Sequence, residues 1–337
     1  MFPYKITKFR YFLFILALIV VASFYLLINA PSSIVTAQPF SISKGESLKS
    51  ISSNLKQNGF IYSDFLFQFY VKFNGQATAI KAGYYFIPGR SSIRTITKLI
   101  TNNQVDHDGN FLIKEGDTLQ DIENNLHSKN ILANNQTLAN FKIKDFSQNY
   151  PMLFQGAPLE NSLEGFLFPD SYHLPQGLTE KEIIDIFLTN FSQKISTEKI
   201  LELNNGHSFY ENLIVASLLE KEVKTEVDKR MVADIIWRRI KENIPLQVDA
   251  SICYAQNKSF ENCQLGEGAF KIDSPYNTYL YRGLPPTPID NPGAESLKAA
   301  FNPLTNDYWY YLTNRKTGET IFSKTLEEHE TARRKYL

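Results

Sequence analysis

The sequence has few of the residues on which several common classes of site depend. Its 337 residues include two cysteines, two tryptophans and five histidines. Two cysteines exclude a disulfide-dense scaffold and any zinc or iron–sulfur site with four cysteine ligands. The histidines lack the H-E-x-x-H spacing, and there is no G-x-S-x-G elbow, P-loop or S-x-x-K motif. The sequence therefore predicts neither a metal site nor a bound cofactor.

An excess of charge of either sign is also missing. The 35 Lys and Arg residues balance 35 Asp and Glu residues. Because nucleic-acid binders are typically basic, we expect no nucleic-acid partner. Hydrophobic residues make up 43% and charged residues 21% of the chain, which is typical of globular proteins. At ~150 residues per domain, the length favours about two domains.

One long apolar run lies near the N-terminus. Residues 11–30 read YFLFILALIVVASFYLLINA and carry no charge. At ~1.5 Å per residue, a helix of this length spans the ~30 Å hydrocarbon core of a bilayer. Basic residues lie within 1–10, and none follows the run before Lys44. The positive-inside rule predicts a cytoplasmic tail (1–10), a single transmembrane helix (11–30) and an extracytoplasmic or periplasmic bulk at the cell (inner) membrane. A signal peptide cleaved near residues 35–37 is the alternative.

The two cysteines, Cys253 and Cys263, would then lie in an oxidising compartment. A disulfide that closes a short loop is one interpretation. Two free buried thiols are the other, and the sequence does not decide between them.

The chain contains a repeat. Residues 40–61 read FSISKGESLKSISSNLKQNGFI, and residues 111–132 read FLIKEGDTLQDIENNLHSKNIL. Each predicts a short strand, a glycine turn and an amphipathic helix that begins at a capping hydroxyl. The turn glycine and the capping residue are Gly45 and Ser47 in the first repeat, and Gly116 and Thr118 in the second.

Each repeat resembles the opening of a LysM module, a module that binds glycans containing N-acetylglucosamine. A βα unit used only for packing is the alternative. Residues 81–101 predict a third unit with a similar strand, turn and helix. We therefore expect residues 31–150 to form a membrane-proximal α+β region with LysM-like units.

The candidate chemistry lies at the end of one helix. Residues 213–219 are apolar or small on all sides, which predicts a buried helix that ends in Glu220-Lys221-Glu222. The helix C-terminus and the apolar surroundings both disfavour the charged form of Glu222, and a raised pKa suits a general acid. The alternative is a solvated helix end that makes ordinary ion pairs. Thr225 predicts the start of a second helix that runs to about Lys241, and its expected inward residues are Val227, Met231, Ile235 and Ile236.

Three further segments complete the C-terminal half. Residues 246–254 predict an alternating strand with Gln247 and Asp249 on one face. Residues 274–293 contain three Tyr and five Pro, which predicts a rigid aromatic surface loop lining a cleft or, alternatively, a connector whose tyrosines only pack. The C-terminus predicts a hairpin about Gly318.

Several of these strings together resemble the YceG-like (MltG) endolytic murein transglycosylase family. They are EGFLFPDSY, ASLLEKE, LQVD, SPYNTY and GLPPTPIDNPGAESLKAA, and they occur in the family's order over nearly the whole chain. The resemblance implies an α+β fold with a LysM-like subdomain beside an α+β catalytic domain, here residues 151–337. It also implies that Glu222, the second Glu of the E-K-E motif, is catalytic. The family often has Thr after this motif, where the chain has Val223.

The implied reaction is lyase-type cleavage of the β-1,4 bond between N-acetylmuramic acid and N-acetylglucosamine, with formation of a 1,6-anhydro end. The implied partners are peptidoglycan glycan strands, the membrane and peptidoglycan synthases (penicillin-binding proteins). Asp249 is the nearest candidate if a second carboxylate is needed. A non-enzymatic peptidoglycan-binding protein and a water-using muramidase are the rival hypotheses. The residues expected to contact substrate are Glu220, Gln247, Asp249, Tyr254, Tyr276, Asn277 and Tyr279.

Overall fold

The computed structural model describes most of the chain as two compact units. The described residues are 15–16, 22–34, 38–101, 110–129, 131–132, 135–174, 178–203, 205–256, 260, 263, 265–266, 268–314 and 316–336. The N-terminal unit comprises Met1–Phe111 and Ser171–Gln176, and the C-terminal unit comprises Leu112–Asp170 and Gly177–Leu337. This division assigns residues 112–150 to the C-terminal unit, whereas the sequence grouped them with the membrane-proximal region. Helices and short strands occur together throughout, which confirms the α+β class.

A four-stranded sheet orders the N-terminal unit. Its strands are β1 (Gln38–Ile42), β2 (Gly83–Ile87), β3 (Asn110–Leu112) and β4 (Ser171–His173), in the order β1–β2–β4–β3. Strands β1 and β2 are antiparallel, with Gln38 opposite Ile87. Strands β2 and β4 are parallel.

Three helices bury the apolar side chains of this unit. They are α1 (Leu48–Gln57), α2 (Asp64–Phe73) and α3 (Ile93–Thr101). Leu55 of α1, Phe67 of α2 and Ile96 of α3 are fully buried in one cluster. Burial of side chains of this size contributes roughly 1.5–3 kcal/mol each.

The predicted strand–turn–helix repeats are confirmed. Gly45 and Gly116 both have a φ of +80°, a conformation that glycine adopts without strain. The Ser47 side chain accepts a hydrogen bond from Ser50 N and caps α1. Thr118 and Asp121 form a reciprocal capping box at the start of α4 (Leu119–Ser128). Local sequence chemistry therefore specifies both repeats, while the LysM likeness itself stays a prediction.

The C-terminal unit is mainly helical. After α4 it contains α5 (Glu180–Thr197), α6 (Phe209–Glu222), α7 (Glu226–Lys241), α8 (Asp249–Ala255), α9 (Ala294–Phe301) and α10 (Leu326–Tyr336). Strands β5 (Tyr310–Thr313) and β6 (Thr320–Ser323) form the predicted antiparallel hairpin. Helix α6 packs against α7, α8 and α9, so residues 212–219 are buried on every side, as the sequence predicted.

Two local predictions in this unit are wrong. Residues 246–254 do not form a strand, because Gln247 has a φ of +55° and α8 begins at Asp249. Val227 does not face inward, since its side chain is 56% exposed. The buried face of α7 is instead formed by Lys229, Val232, Ala233, Ile235, Ile236 and Arg239.

Part of the predicted membrane span, residues 11–14 and 17–21, lies outside the described residues, as does the alternative cleavage site at 35–37. Within the part of the chain that is described, we find no helix with both the length and the apolarity needed to cross a bilayer. Residues 22–29 are helical. The transmembrane anchor therefore stays a prediction.

Cys253 and Cys263 are joined by a disulfide. Of the two interpretations that the sequence left open, the structure has the disulfide. The bond connects the last turn of α8 to the segment that follows this helix.

Candidate active site

Glu222 is the last residue of α6. Eight residues of this helix, 212–219, are buried, so the backbone that carries Glu222 is held firmly. Val223 is extended and ends the helix. Thr313 of β5 donates its hydroxyl to the backbone oxygen of Glu222 at 3.0 Å. The carboxyl group therefore stands at a fixed helix end, and the side chain is partly accessible to solvent.

The surroundings of the Glu222 carboxyl group raise its pKa to about 7. Burial is the largest cause, because it penalises the charged form, and the negative charge of Asp249 is the second. Hydrogen bonds from the backbone N–H groups of Ala250 and Asp249 and from the Tyr311 hydroxyl act in the opposite direction. The Ala250 N–H is 3.5 Å from Glu222 Oε1. A pKa near the working pH suits a group that first gives and then takes a proton.

Asp249 lies close enough to Glu222 for its charge to raise the pKa of that carboxyl group, and Tyr279 holds it in place; we call Glu222 and Asp249 the carboxyl pair. The Tyr279 hydroxyl donates to Asp249 Oδ1 at 2.6 Å. Burial and the charge of Asp249 raise the pKa of Tyr279, so the phenol stays protonated and remains a donor. Asp249 is exposed, so one carboxyl group of the pair is hydrated while Glu222 is partly shielded.

A second buried carboxyl group, Glu164, supports the opposite end of α8. Its side chain is 3% exposed, and the Tyr254 hydroxyl donates to its Oε2 at 3.1 Å. The ring of Tyr254 packs on Tyr276, with centroids 4.8 Å apart, and the Tyr276 hydroxyl is 2.7 Å from Thr287 Oγ1. Thus two tyrosines predicted to contact substrate share one cluster with a residue that sequence analysis did not select.

Glu164 also connects the second repeat to the proline-rich loop. The backbone N–H of Leu119 donates to its Oε1 at 2.9 Å, and Asn291 Nδ2 lies 3.3 Å from the same oxygen. Asn291 Nδ2 in turn donates to the backbone oxygen of Asp117. Burial raises the pKa of Glu164 to about 7 despite these donors. The turn before α4 is therefore part of the scaffold of this unit.

The carboxyl group of Glu220 makes its contacts away from Glu222 and Asp249. Its Oε2 accepts hydrogen bonds from Gly293 N at 3.0 Å and from Ser296 Oγ at 2.6 Å. Its Oε1 lies 3.5 Å from the buried ammonium group of Lys229. These contacts fix the end of the proline-rich loop to α6 and α7. The predicted substrate contact of Glu220 has no support from this placement.

Gln247 and Asn277 differ in accessibility. Gln247 is exposed beside Asp249. Asn277 is fully buried, and its Nδ2 donates to the backbone oxygens of Phe270 and Ile272 at 3.0 and 2.8 Å. Its amide therefore shapes the loop from within, and its placement does not favour the predicted contact with glycan.

The proline-rich loop, residues 274–293, is irregular as predicted, but only part of it is a surface loop. Its last third is buried, and Ile289 N donates to Ser217 Oγ of α6 at 3.1 Å. Asp290 is fully buried, and neither of its carboxyl oxygens has a hydrogen-bond partner among the described residues. Burial raises the pKa of Asp290 well above its usual range, with Lys221 as the largest opposing charge. This environment favours its neutral form.

Three residues of the site were not predicted from the sequence: Glu164, Tyr311 and Arg239. Arg239 is buried, and its guanidinium group donates to the backbone oxygens of Trp309 and Leu246. It thereby joins the β5 hairpin, which carries Tyr311, to the segment that leads into α8. A charged residue inside an apolar motif, such as Glu164 in EGFLFP, is the signal that was available. No comparable signal marked Tyr311.

The fold and the site together define an α+β protein with two neighbouring carboxyl groups, Glu222 and Asp249, that are suited to acid–base chemistry and are contacted by Tyr311 and Tyr279. The chain belongs to the YceG-like family, whose sequence model matches residues 40–335.

Three relatives illustrate the similarity. The Bacillus subtilis endolytic murein transglycosylase is 32% identical over 311 residues, which cover 90% of this chain and 85% of that protein. The Streptococcus pneumoniae endolytic murein transglycosylase is 28% identical and matches 86% of this chain but 56% of its own length. A crystal structure of a YceG-like protein from Listeria monocytogenes superposes with a TM-score of 0.60 at 29% identity, covering 88% of this chain and 99% of that one.

Proposed function

We propose that the chain is a peptidoglycan lytic transglycosylase that cleaves the β-1,4 bond between N-acetylmuramic acid and N-acetylglucosamine. The observation that carries this proposal is the carboxyl group of Glu222, which stands at a rigid helix end with its pKa raised to about 7. Family membership and the names of the relatives support the same activity.

In the proposed reaction Glu222 first acts as a general acid. Its proton goes to the glycosidic oxygen as the bond from that oxygen to the muramoyl anomeric carbon breaks. The resulting carboxylate then takes the proton of the muramoyl 6-hydroxyl while that oxygen attacks the anomeric carbon. The product carries a 1,6-anhydro ring, and Glu222 is again protonated. No water is consumed, so one carboxyl group carries both proton transfers.

Asp249 contributes by its charge. It helps to keep a proton on Glu222 before bond cleavage, because two neighbouring carboxylates repel. Its negative charge also stabilises positive charge that develops at the anomeric carbon. The hydrogen bond from Tyr279 holds Asp249 in one orientation, so little reorganisation is needed during the reaction.

We infer that Gln247 and the partly exposed faces of Tyr254 and Tyr276 orient the glycan. Aromatic rings pack on the apolar faces of sugars, and amides bond to their hydroxyl and acetamido groups. In this proposal Glu220 and Asn277 act on the scaffold, since their polar atoms are engaged within the protein.

The direct test is digestion of purified murein followed by mass spectrometry of the products. The wild-type chain should release fragments with 1,6-anhydro-muramoyl ends, and Glu222→Gln should release none. Reducing ends from the wild type would identify a water-using muramidase. Murein that is bound by both proteins and cleaved by neither would identify a non-catalytic binding protein.

We further propose that residues 11–30 anchor the enzyme in the cell membrane, with residues 1–10 in the cytoplasm. A tethered site would meet glycan close to the bilayer, where new strands remain lipid-linked. We infer an endolytic role in the release of nascent strands beside peptidoglycan synthases, with the LysM-like repeats as candidate glycan contacts. Deletion should lengthen the glycan strands of isolated sacculi, and an unchanged length profile would refute this role.

A further inference from the structure

Helix α2 of the N-terminal unit exposes a row of phenylalanines. Phe65, Phe69 and Phe73 recur at every fourth position and are 71%, 44% and 80% exposed. Their rings contact one another in series, with centroids 6.4 Å apart for the first pair and 5.9 Å apart for the second. We call these three residues the aromatic ridge. An ordinary surface helix would place polar side chains at such positions.

The opposite face of α2 is in the core, so the ridge is not a misplaced core face. Phe67 and Val71 are fully buried. The polar positions of the helix form a third row, in which Gln68 donates to Ser52 Oγ at 2.8 Å and Asp64 pairs with Lys56 at 3.0 Å. An apolar ridge beside a polar row is typical of a helix that lies at the boundary between lipid and water.

The ridge contacts the last part of the long apolar run. The ring of Phe24 meets Phe69 edge-on, with centroids 5.1 Å apart. Phe24 lies in the helical segment 22–29, and Ile28 of the same segment is 6% exposed and belongs to the core cluster of the N-terminal unit. The chain that would leave the bilayer is therefore packed directly against α2.

The position of Phe24 along the predicted span places its contact with Phe69 near the membrane surface. Phe24 precedes Ala30, the outer end of the predicted span, by six residues. At ~1.5 Å per residue, Phe24 lies about 9 Å inside that end. Interfacial helices bury their apolar face by ~5–10 Å.

We propose that the aromatic ridge of α2 inserts into the outer surface of the membrane bilayer beside the anchor. This inference rests on the anchor put forward under the proposed function. It adds a second membrane contact, which would hold the N-terminal unit against the bilayer instead of leaving it free on a tether.

The observations favour lipid over a glycan or a second copy of the chain. The rings of Phe69 and Phe73 stack with an interplanar angle of 11°, so the face that each ring turns to the other cannot pack on a sugar. The ridge has no hydroxyl or amide group to bond to sugar hydroxyls. Its contact with Phe24, inside the predicted span, favours a bilayer, because a second copy of the chain would not need to lie beside that span.

Quenching of tryptophan fluorescence by brominated lipid tests the proposal. The full chain is reconstituted in vesicles of phosphatidylethanolamine and phosphatidylglycerol that contain phosphatidylcholine brominated either near the headgroup or near the chain end. Phe73→Trp reports the ridge and Leu16→Trp reports the span. Lys98→Trp, at an exposed position of α3, is the matched control. The wild-type signal, from Trp237 and Trp309, is subtracted.

We expect Phe73→Trp to lose fluorescence, and to lose more of it with lipid brominated near the headgroup than near the chain end. Lys98→Trp should lose much less. Loss of signal in Leu16→Trp without loss in Phe73→Trp would overturn the ridge and leave the anchor standing. Loss in neither would overturn the anchor and the ridge together. Murein cleavage by each variant confirms that it is folded, and this assay does not depend on either membrane contact.

Discussion

Replacement of Glu222 by glutamine should remove a loss of stability that the wild type undergoes as the pH rises from about 5 to about 8. A glutamate whose pKa is raised from 4.5 to about 7 on folding binds its proton more tightly in the folded than in the unfolded chain. The free energy of unfolding of the wild type therefore falls as the pH rises through this window. At ~1.36 kcal/mol for each pKa unit, the full effect is at most about 3 kcal/mol. Glutamine does not titrate, so Glu222→Gln lacks this loss.

Urea unfolding followed by tryptophan fluorescence measures the difference. Both tryptophans, Trp237 and Trp309, lie in the C-terminal unit, so the signal reports the part of the chain that holds the site. The free energy of unfolding of Glu222→Gln minus that of the wild type should grow by up to about 3 kcal/mol between about pH 5 and about pH 8. Lost or altered hydrogen bonds to Tyr311 and the α8 backbone shift this difference equally at both pH values, so they do not affect its growth.

Glu319→Gln serves as the matched control, because it removes a carboxyl group from an exposed turn. The free energy of unfolding of Glu319→Gln should differ from that of the wild type by an amount that changes little with pH, since an exposed charge remains solvated. An equally flat difference for Glu222→Gln would show that burial does not hold a proton on Glu222.

Substitutions at three other positions test the surroundings of the site. Asp249→Asn removes the charge that helps to raise the pKa of Glu222. The fall of kcat/KM on the alkaline side should therefore move to lower pH. A fall at the wild-type pH would contradict the effect of Asp249 on Glu222. Glu164→Ala leaves buried donors without an acceptor, which costs about 1–3 kcal/mol for each donor. Urea unfolding should therefore show that the free energy of unfolding falls by several kcal/mol. A fall of less than about 1 kcal/mol would contradict the role of Glu164 in supporting α8. Glu164→Gln keeps one acceptor oxygen and should lose less. Gly165→Ala should destabilise the folded protein by more than about 1 kcal/mol, because Gly165 has a φ of +86° and a Cβ there would lie 2.5 Å from Pro288 Cβ. If the variant instead unfolds at the same temperature as the wild type, the proline-rich loop can move to make room for the added methyl group.

The features that could be predicted from the sequence are those that depend on neighbouring residues. The caps at Ser47 and Thr118 bond to backbone groups three residues away, so a short window of sequence contains both partners. The apolar residues of α6 recur without a polar face, which predicts burial whatever the partner helices are. The hairpin β5–β6 is likewise a local structure.

The features that could not be predicted depend on distant partners or on unusual backbone. Glu164 and Tyr254 are 90 positions apart, and periodicity carries no information about such a pair. Gln247 adopts a positive φ that few residues other than glycine favour, so the alternation around it suggested a strand where a helix begins. Val227 follows the helical period but faces solvent, because α6 and α9 pack against another face of α7.

The most direct measurement is a titration of the Glu222 carboxyl group itself. Carbon-13 NMR of the chain labelled at the glutamate side-chain carboxyl carbons would follow it, with the signal assigned by its absence in Glu222→Gln. Glu164, whose pKa is also raised to about 7, would be assigned in the same way from Glu164→Gln. We expect a midpoint of about 7 for Glu222. A midpoint near 4.5, the ordinary value for glutamate, would contradict it.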